Sequence, residues 1–185
     1  EHPREILGDD VIRRFEGRLP YLFKVLSAAQ PLSIQVHPSK SSAEEGFECE
    51  EAAGMPISAP NRNYRDRNHK PELIVALTGF YALRGFRPLE EIAETLRATP
   101  ELAEQVKRFE PTPESLKAVY ESLMVLPQDD VDAILGPCLE RIGETDRQRP
   151  FSKRDREYWL LRCDQPYPRE AHRDRGLFSI FLLNL

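Results

Sequence analysis

The chain has 185 residues, 40% of them hydrophobic and 31% charged, with a formal net charge of −5. This is enough for one sizeable core or two small ones, and too apolar for a disordered segment. The acidic balance argues against a nonspecific grip on nucleic acid or an anionic membrane, and no apolar run approaches the roughly 18–20 residues of a membrane helix.

In chain order, Asp9 to Phe15 is predicted as a short helix and Tyr21 to Leu26 as a buried strand. Leu32-Ser33-Ile34-Gln35-Val36-His37 alternates strictly, the period-2 mark of a strand with two unlike faces. Pro31 and Pro38 bracket it, as suits residues that lack a ladder donor. An acidic helix is expected over Ser42 to Ala53, followed by a loop rich in Pro, Asn and Arg as far as Arg67. Glu72 to Leu77 reads as extended, Thr78-Gly79 as a turn, and Phe80 to Phe86 as the returning strand of a hairpin.

From Pro88 the period becomes helical. Leu89, Ile92, Ala93 and Leu96 form one stripe behind a first-turn proline. Thr99-Pro100 and Thr112-Pro113 each place a capping residue before a first-turn proline, ahead of Leu102, Val106 and Phe109 and of Leu116, Val119 and Leu123. A helix opening at Asp129 or Asp130 carries Val131, Ile134 and Leu135 and is expected to break at Gly136-Pro137. Glu144 to Glu157 reads as a solvated loop and helix start, with Ser152 and Asp155 resembling a capping box before Tyr158, Trp159 and Leu161. Leu177 to Leu185 is expected to be a strand.

The pattern is α+β: a β-rich part over 1–87, a helical block over 88–176, and a returning strand over 177–185. A lone terminal strand must pair with something, so the helical block is expected to be an insertion between strands of one β domain. No initiator Met is present, and the sequence stops within an apolar run, which leads us to expect a piece of a longer protein. No basic-then-apolar leader is visible. Cys49, Cys138 and Cys163 are scattered and odd in number, which excludes a disulfide scaffold and suits a reducing cytoplasm.

The alternating strand carries the candidate chemistry. Gln35 and His37 share one face, so an amide oxygen and an imidazole nitrogen are placed to meet at one ion. In Asn68-His69-Lys70-Pro71-Glu72 the same parity projects Lys70 and Glu72 together. Glu72 offers a third ligand, and Lys70 a base, since a neighbouring cation disfavours its protonated form. Lys24 and Lys40 flank the polar face and, with Ser33, could hold a phosphate; Lys24 lies within an apolar run where burial would demand a partner. A lone strand histidine is more often structural, and a Lys-x-Glu pair is usually a solvated ion pair, so spacing alone leaves both readings open.

The run Leu19-Pro20-Tyr21-Leu22-Phe23-Lys24-Val25-Leu26, continuing through Gln30 to Lys40, resembles type I phosphomannose isomerases. So do Asn68-His69-Lys70-Pro71-Glu72 and Gly85-Phe86-Arg87-Pro88-Leu89-Glu90-Glu91-Ile92. The resemblance is best over 19–97 and weaker over 98–185. It implies a cupin-type β jelly-roll core, incomplete in this chain, with an inserted all-helical domain. It further implies a zinc-dependent interconversion of mannose 6-phosphate and fructose 6-phosphate through an enediol. The oligomeric state is not readable from the sequence, and a monomer is the expectation. One zinc ion would be held by Gln35, His37 and Glu72, with a fourth ligand, a His, and a catalytic Arg beyond Leu185. Lys70 would be an acid/base residue, and Lys24 and Ser33 would line the sugar-phosphate site. Pro166 to Gly176 departs from the family pattern in length and charge, and His172 within it is expected to be a loop residue rather than the missing ligand. The competing class is a cupin that binds metal or sugar phosphate without turnover. A bifunctional nucleotide-transferring cupin would need a Gly-rich phosphate loop, and none is visible.

Overall fold

The computed structural model describes residues 2–104, 106–107, 109–164 and 172–185. They fall into two units, Glu1–Pro31 and Leu32–Leu185. In the first, α1 (Pro3–Phe15) contains the expected short helix, begins earlier than expected, and is kinked at Gly8. The buried strand expected over Tyr21 to Leu26 is absent. These residues lie outside any helix or strand and are exposed, Phe23 by 84%.

In the second unit the strand pattern is likewise present without its ladder. Leu32 to His37 and Glu72 to Leu83 lie outside any helix or strand, the second range bends at Leu77-Thr78, and Ile34, Val36, Leu73 and Val75 are exposed. The physical reason is that an alternating segment specifies only half of a sheet. Its backbone groups need a neighbouring strand and its apolar face needs a second layer.

Between these segments lies α2 (Lys40–Ala52), capped by Ser39, whose hydroxyl accepts from Ser42 N at 3.2 Å. Residues 55–64 wrap back over this helix. Glu50 accepts from Asn63 N at 3.0 Å and Tyr64 N at 2.8 Å, and these two amides hold its carboxyl below its ordinary range. Arg62 is buried against Glu50 and Glu51 and lies 5.0 Å over the Phe47 ring. The Tyr64 ring lies flat against Gly46, where only a residue without a Cβ fits.

The core belongs to the helical block: α3 (Leu89–Arg97), α4 (Pro113–Met124), α5 (Gln128–Gln148), α6 (Arg156–Asp164) and α7 (Phe178–Leu182). Ile92, Leu96, Leu123, Leu135, Leu160, Phe178 and Phe181 meet in one cluster, each such side chain contributing roughly 1.5–3 kcal/mol by burial. One start signal works as expected: Thr112 accepts from Ser115 N at 3.2 Å. Ser152 N and Oγ donate to Asp155 at 2.7 and 2.8 Å, but in a turn that precedes α6, which opens at Arg156. Thr99 does not cap. Its hydroxyl donates back to Thr95 O, and only a single 3-10 turn, Pro100–Leu102, follows.

Two further expectations are corrected. Helix α5 runs straight through Gly136-Pro137 and on to Gln148, taking up the start of the expected charged loop. Pro137 has no N–H for the carbonyl of Ala133, yet neither residue is buried, so the orphaned acceptor sits on the solvent side. Ile134, Leu135, Cys138 and Leu139 on the other face are buried and hold the helix together. The terminal run is helical rather than a strand: a 3-10 turn, Arg175–Leu177, leads into α7. Phe178 through Leu182 are all buried, so the apolar run follows from being surrounded, not from alternation.

Just after α7 the chain does pair. Arg84 N donates to Asn184 O (2.8 Å), Asn184 N to Gly85 O (2.9 Å), and Arg87 N to Leu182 O (2.9 Å), with an antiparallel bridge between Phe86 and Leu183. Arg87 Nε adds a bond to Leu183 O at 2.9 Å. Gly85, at φ +65°, turns the backbone between the two paired residues. Residues 165–171, including most of the charged stretch from Pro166, lie outside the described residues. Among the described residues no helix is long and apolar enough to cross a membrane.

Two outcomes test this packing. Gly46→Ala sets a Cβ 2.6 Å from Cδ2 of the Tyr64 ring, so urea unfolding should show a loss of about 1–3 kcal/mol. An Ala in an unobstructed helix would instead gain about 0.5–1 kcal/mol, so a neutral or stabilised variant contradicts the contact. Arg141 donates twice to Glu101, both at 2.8 Å, and these bonds hold the Glu101 carboxyl below its ordinary value. Because the native pKa is the lower one, the stability it contributes is full above the ordinary glutamate range and lost as pH falls through the native value. Glu101→Gln should therefore lower Tm at neutral pH, with the gap to the parent closing below about pH 4. A pH-independent gap contradicts the linkage.

Candidate metal centre

Parity along the extended segment sets Gln35 and His37 on one side, and their side chains meet, with His37 Nε2 3.3 Å from Gln35 Oε1. Glu72 arrives from a second extended segment, its Oε1 3.9 Å from the same imidazole nitrogen. Lys70 shares its side with Glu72 by the same parity, and its Nζ lies 3.1 Å from Glu72 Oε1. An amide oxygen, an imidazole nitrogen and a carboxylate oxygen thus converge around His37 Nε2.

The spacing suits a divalent ion. For zinc bonds of about 2.0–2.2 Å, the edges of a tetrahedron are about 3.3–3.6 Å; the Gln35 separation of 3.3 Å lies in that range and the Glu72 separation of 3.9 Å above it. Gln35, His37 and Glu72 supply one carboxylate and two neutral donors, a set borderline-soft zinc accepts. Among the described residues no group of three or more His, Cys, Asp or Glu side chains gathers for a metal. The candidate set contains only two of those types, with Gln35 as the third donor.

The remaining expected site residues are placed as follows. Ser33 is exposed two residues before Gln35, in the same extended segment. Lys24 belongs to the first unit and is exposed, so the burial that would have demanded a partner does not apply. Lys40 is committed elsewhere than to a phosphate pocket. Its Nζ donates to Arg67 O at 2.7 Å, lies 3.5 Å from Asn68 Oδ1, and pairs with Glu44 at 3.1 Å. Sequence reasoning missed this link, although a lysine opening a helix with no acidic residue in its first turn was a signal.

His172 is a loop residue, and its Nδ1 sits 2.7 Å from Asp132 on α5. Arg173 N and His172 hold the Asp132 carboxyl below its ordinary range. All three cysteines are free. Cys138 is enclosed between Glu101 and Arg141, and burial pushes its thiol up to about 11, which leaves it inert as a ligand or nucleophile.

A family model for the phosphomannose isomerase type I catalytic domain matches residues 1–89. Mannose-6-phosphate isomerase of Escherichia coli is 40% identical over 97% of this chain, which spans 44% of that protein. The human mannose-6-phosphate isomerase is 35% identical over 98% of this chain and 43% of its own length. Among solved structures, mannose 6-phosphate isomerase from Salmonella typhimurium, bound to its substrate and zinc, is 39% identical with a TM-score of 0.72. It is matched over 96% of this chain and 43% of its own. The chain therefore spans less than half the length of these relatives.

Proposed function

We propose that this chain, a relative of the type I phosphomannose isomerases, is part of a zinc-dependent enzyme that interconverts mannose 6-phosphate and fructose 6-phosphate. The observation that supports this best is the meeting of Gln35, His37 and Glu72 around one point, from two segments 35 residues apart, with Lys70 alongside. In this reading residues 1–87 supply part of a cupin-type domain, 88–176 an inserted helical domain, and 177–185 the return, supported by the bonds from 84–87 to 182–184. The strand-patterned segments would pair with strands in the rest of the longer protein. A fourth ligand, His, and an Arg would come from there too. The free cysteines are those of a protein working in a reducing cytoplasm.

Isomerisation moves the proton on C2 of the open-chain aldose to C1, while the hydroxyl proton on O2 passes to O1; the ketose results, with an enediol between. Gln35, His37 and Glu72 would hold one zinc ion, which supplies Lewis-acid polarisation of the sugar oxygens. Lys70 would take and return the carbon-bound proton; its Nζ, 3.1 Å from Glu72 Oε1, lies beside the ligand set. Lys24 and Ser33 bind the phosphate end, turning remote binding energy into orientation of C1 and C2. The phosphate thus fixes the sugar while Lys70 acts at the other end.

The test uses the full-length protein. Lys70→Ala should cut turnover of mannose 6-phosphate about 10²–10⁴-fold with zinc content unchanged. Glu72→Ala should lose zinc and activity together, measured by metal analysis before and after chelation. A wild-type protein that holds zinc and leaves mannose 6-phosphate unconverted would favour a non-catalytic binding cupin and overturn the enzymatic reading.

A further inference from the structure

Two extended segments carry the candidate ligands, and among the described residues neither has a strand ladder to fix it. Within this chain, the contacts that join them lie at the start of α2. Gln35 and His37 run within three residues into Ser39 and Lys40, where α2 begins. Glu72 and Lys70 lie just after Arg67 and Asn68. Lys40 Nζ spans the gap, donating to Arg67 O at 2.7 Å and lying 3.5 Å from Asn68 Oδ1.

A cation at the first position of a helix faces the positive end of the helix dipole, an unfavourable placement. Here the opposing acidic group is Glu44 one turn on, 3.1 Å from Nζ, which leaves the remaining ammonium protons for Arg67 O and Asn68. The receiving loop is prepared from its other side. Asp66 Oδ1 accepts from Asn68 N at 2.7 Å, and Arg67 pairs with Glu48 at 2.6 Å while its guanidinium lies 5.0 Å over Phe47. The side chain of Arg67 therefore anchors the loop to the middle of α2, whereas Lys40 grips its backbone at the end that leads to the ligands.

We propose that Lys40 is a positioning residue, stapling the Lys70–Glu72 segment to the Gln35–His37 segment so that the three donors keep the spacing a metal ion requires. The inference rests on the zinc-site reading above and deepens it. Lys40 touches neither sugar nor ion; it acts through the backbone at Arg67, five residues before Glu72. Outer partners that hydrogen-bond metal ligands directly are worth typically about 10–100-fold in metal affinity; Lys40 acts one link further out, through the loop, and the same range bounds its effect from above.

The experiment measures zinc affinity by chelator competition in the full-length protein, alongside kcat, KM for mannose 6-phosphate, and Tm of the zinc-free form. Lys40→Met should weaken zinc binding, by at most about 10–100-fold, and lower kcat at subsaturating zinc. KM and the zinc-free Tm should stay close to the parent values. Lys40→Arg, which retains donors for Arg67 O, should recover most of the affinity. Parent-like zinc affinity in Lys40→Met, in a protein that otherwise binds zinc and isomerises mannose 6-phosphate, overturns the staple alone. So does an affinity loss matched by an equal fall in zinc-free stability, or one that Lys40→Arg fails to recover. A parent protein that binds no zinc overturns both the staple and the reading beneath it.

Discussion

The antiparallel pairing of Arg84–Arg87 with Leu182–Asn184 is the constraint on which the helical block depends. Arg87 Nε and Leu183 O are joined across 96 residues of sequence. Closing an excursion of that length costs entropy, though the cost grows only with the logarithm of its length. The compensation is local and visible. Phe86 packs edge-on against Tyr120 with ring centroids 5.8 Å apart, and the Tyr120 hydroxyl lies 3.1 Å from Ser179 Oγ on α7. Helix α4 is thereby bound to both ends of the excursion. The core of Ile92, Leu135, Leu160 and Phe181 is then satisfied almost wholly within the block, with Leu83 packed against it and Tyr81 against Trp159 from the segment before.

That independence explains which parts of the sequence could be read. Helices α3, α4 and α6 were legible because their signals are short-range. A stripe at i, i+3 and i+4, a threonine before a proline, and a serine three residues before an aspartate all act within one or two turns. Pro137 misled because propensity rules describe an average helix. Here the one lost hydrogen bond belongs to a carbonyl on the solvent side while four neighbouring side chains are buried. Thr99 misled for a related reason: a threonine hydroxyl one turn beyond Thr95 has a buried carbonyl within reach and takes it instead of a cap. The terminal run is apolar at every position from Leu177 to Leu183 except Ser179, and such a run fits a buried strand and a buried helix equally.

Strand signals are different in kind. Alternation records which side of a segment wants a neighbour, but the neighbour itself lies elsewhere in the sequence. Leu32 to His37 keeps its alternation and has no ladder, so Ile34 and Val36 remain exposed. The family resemblance of three separated motifs names a fuller candidate set than periodicity does, and the roles proposed for Lys24 and Ser33 rest on that resemblance alone. The parity rule alone, however, is what sets Gln35 beside His37 and Lys70 beside Glu72.

A metal centre built on extended segments faces a specific difficulty. Parity fixes which side chains share a face, yet a slip of one residue would turn every donor to the opposite side. Sheets prevent such slips with ladders. In this chain the same task falls to the helix between the segments, since α2 begins three residues after His37 and the loop wrapped over it ends shortly before Lys70. The contacts that fix this wrap are few and close: Tyr64 against Gly46, Glu50 on two consecutive amides, and Arg67 over Phe47. None of these groups belongs to the candidate ligand set. Their shared effect is to tie the loop that leads to Glu72 to the helix that follows His37. On the zinc reading, the donor spacing would rest on these contacts within the chain, alongside whatever ladder the rest of the protein supplies.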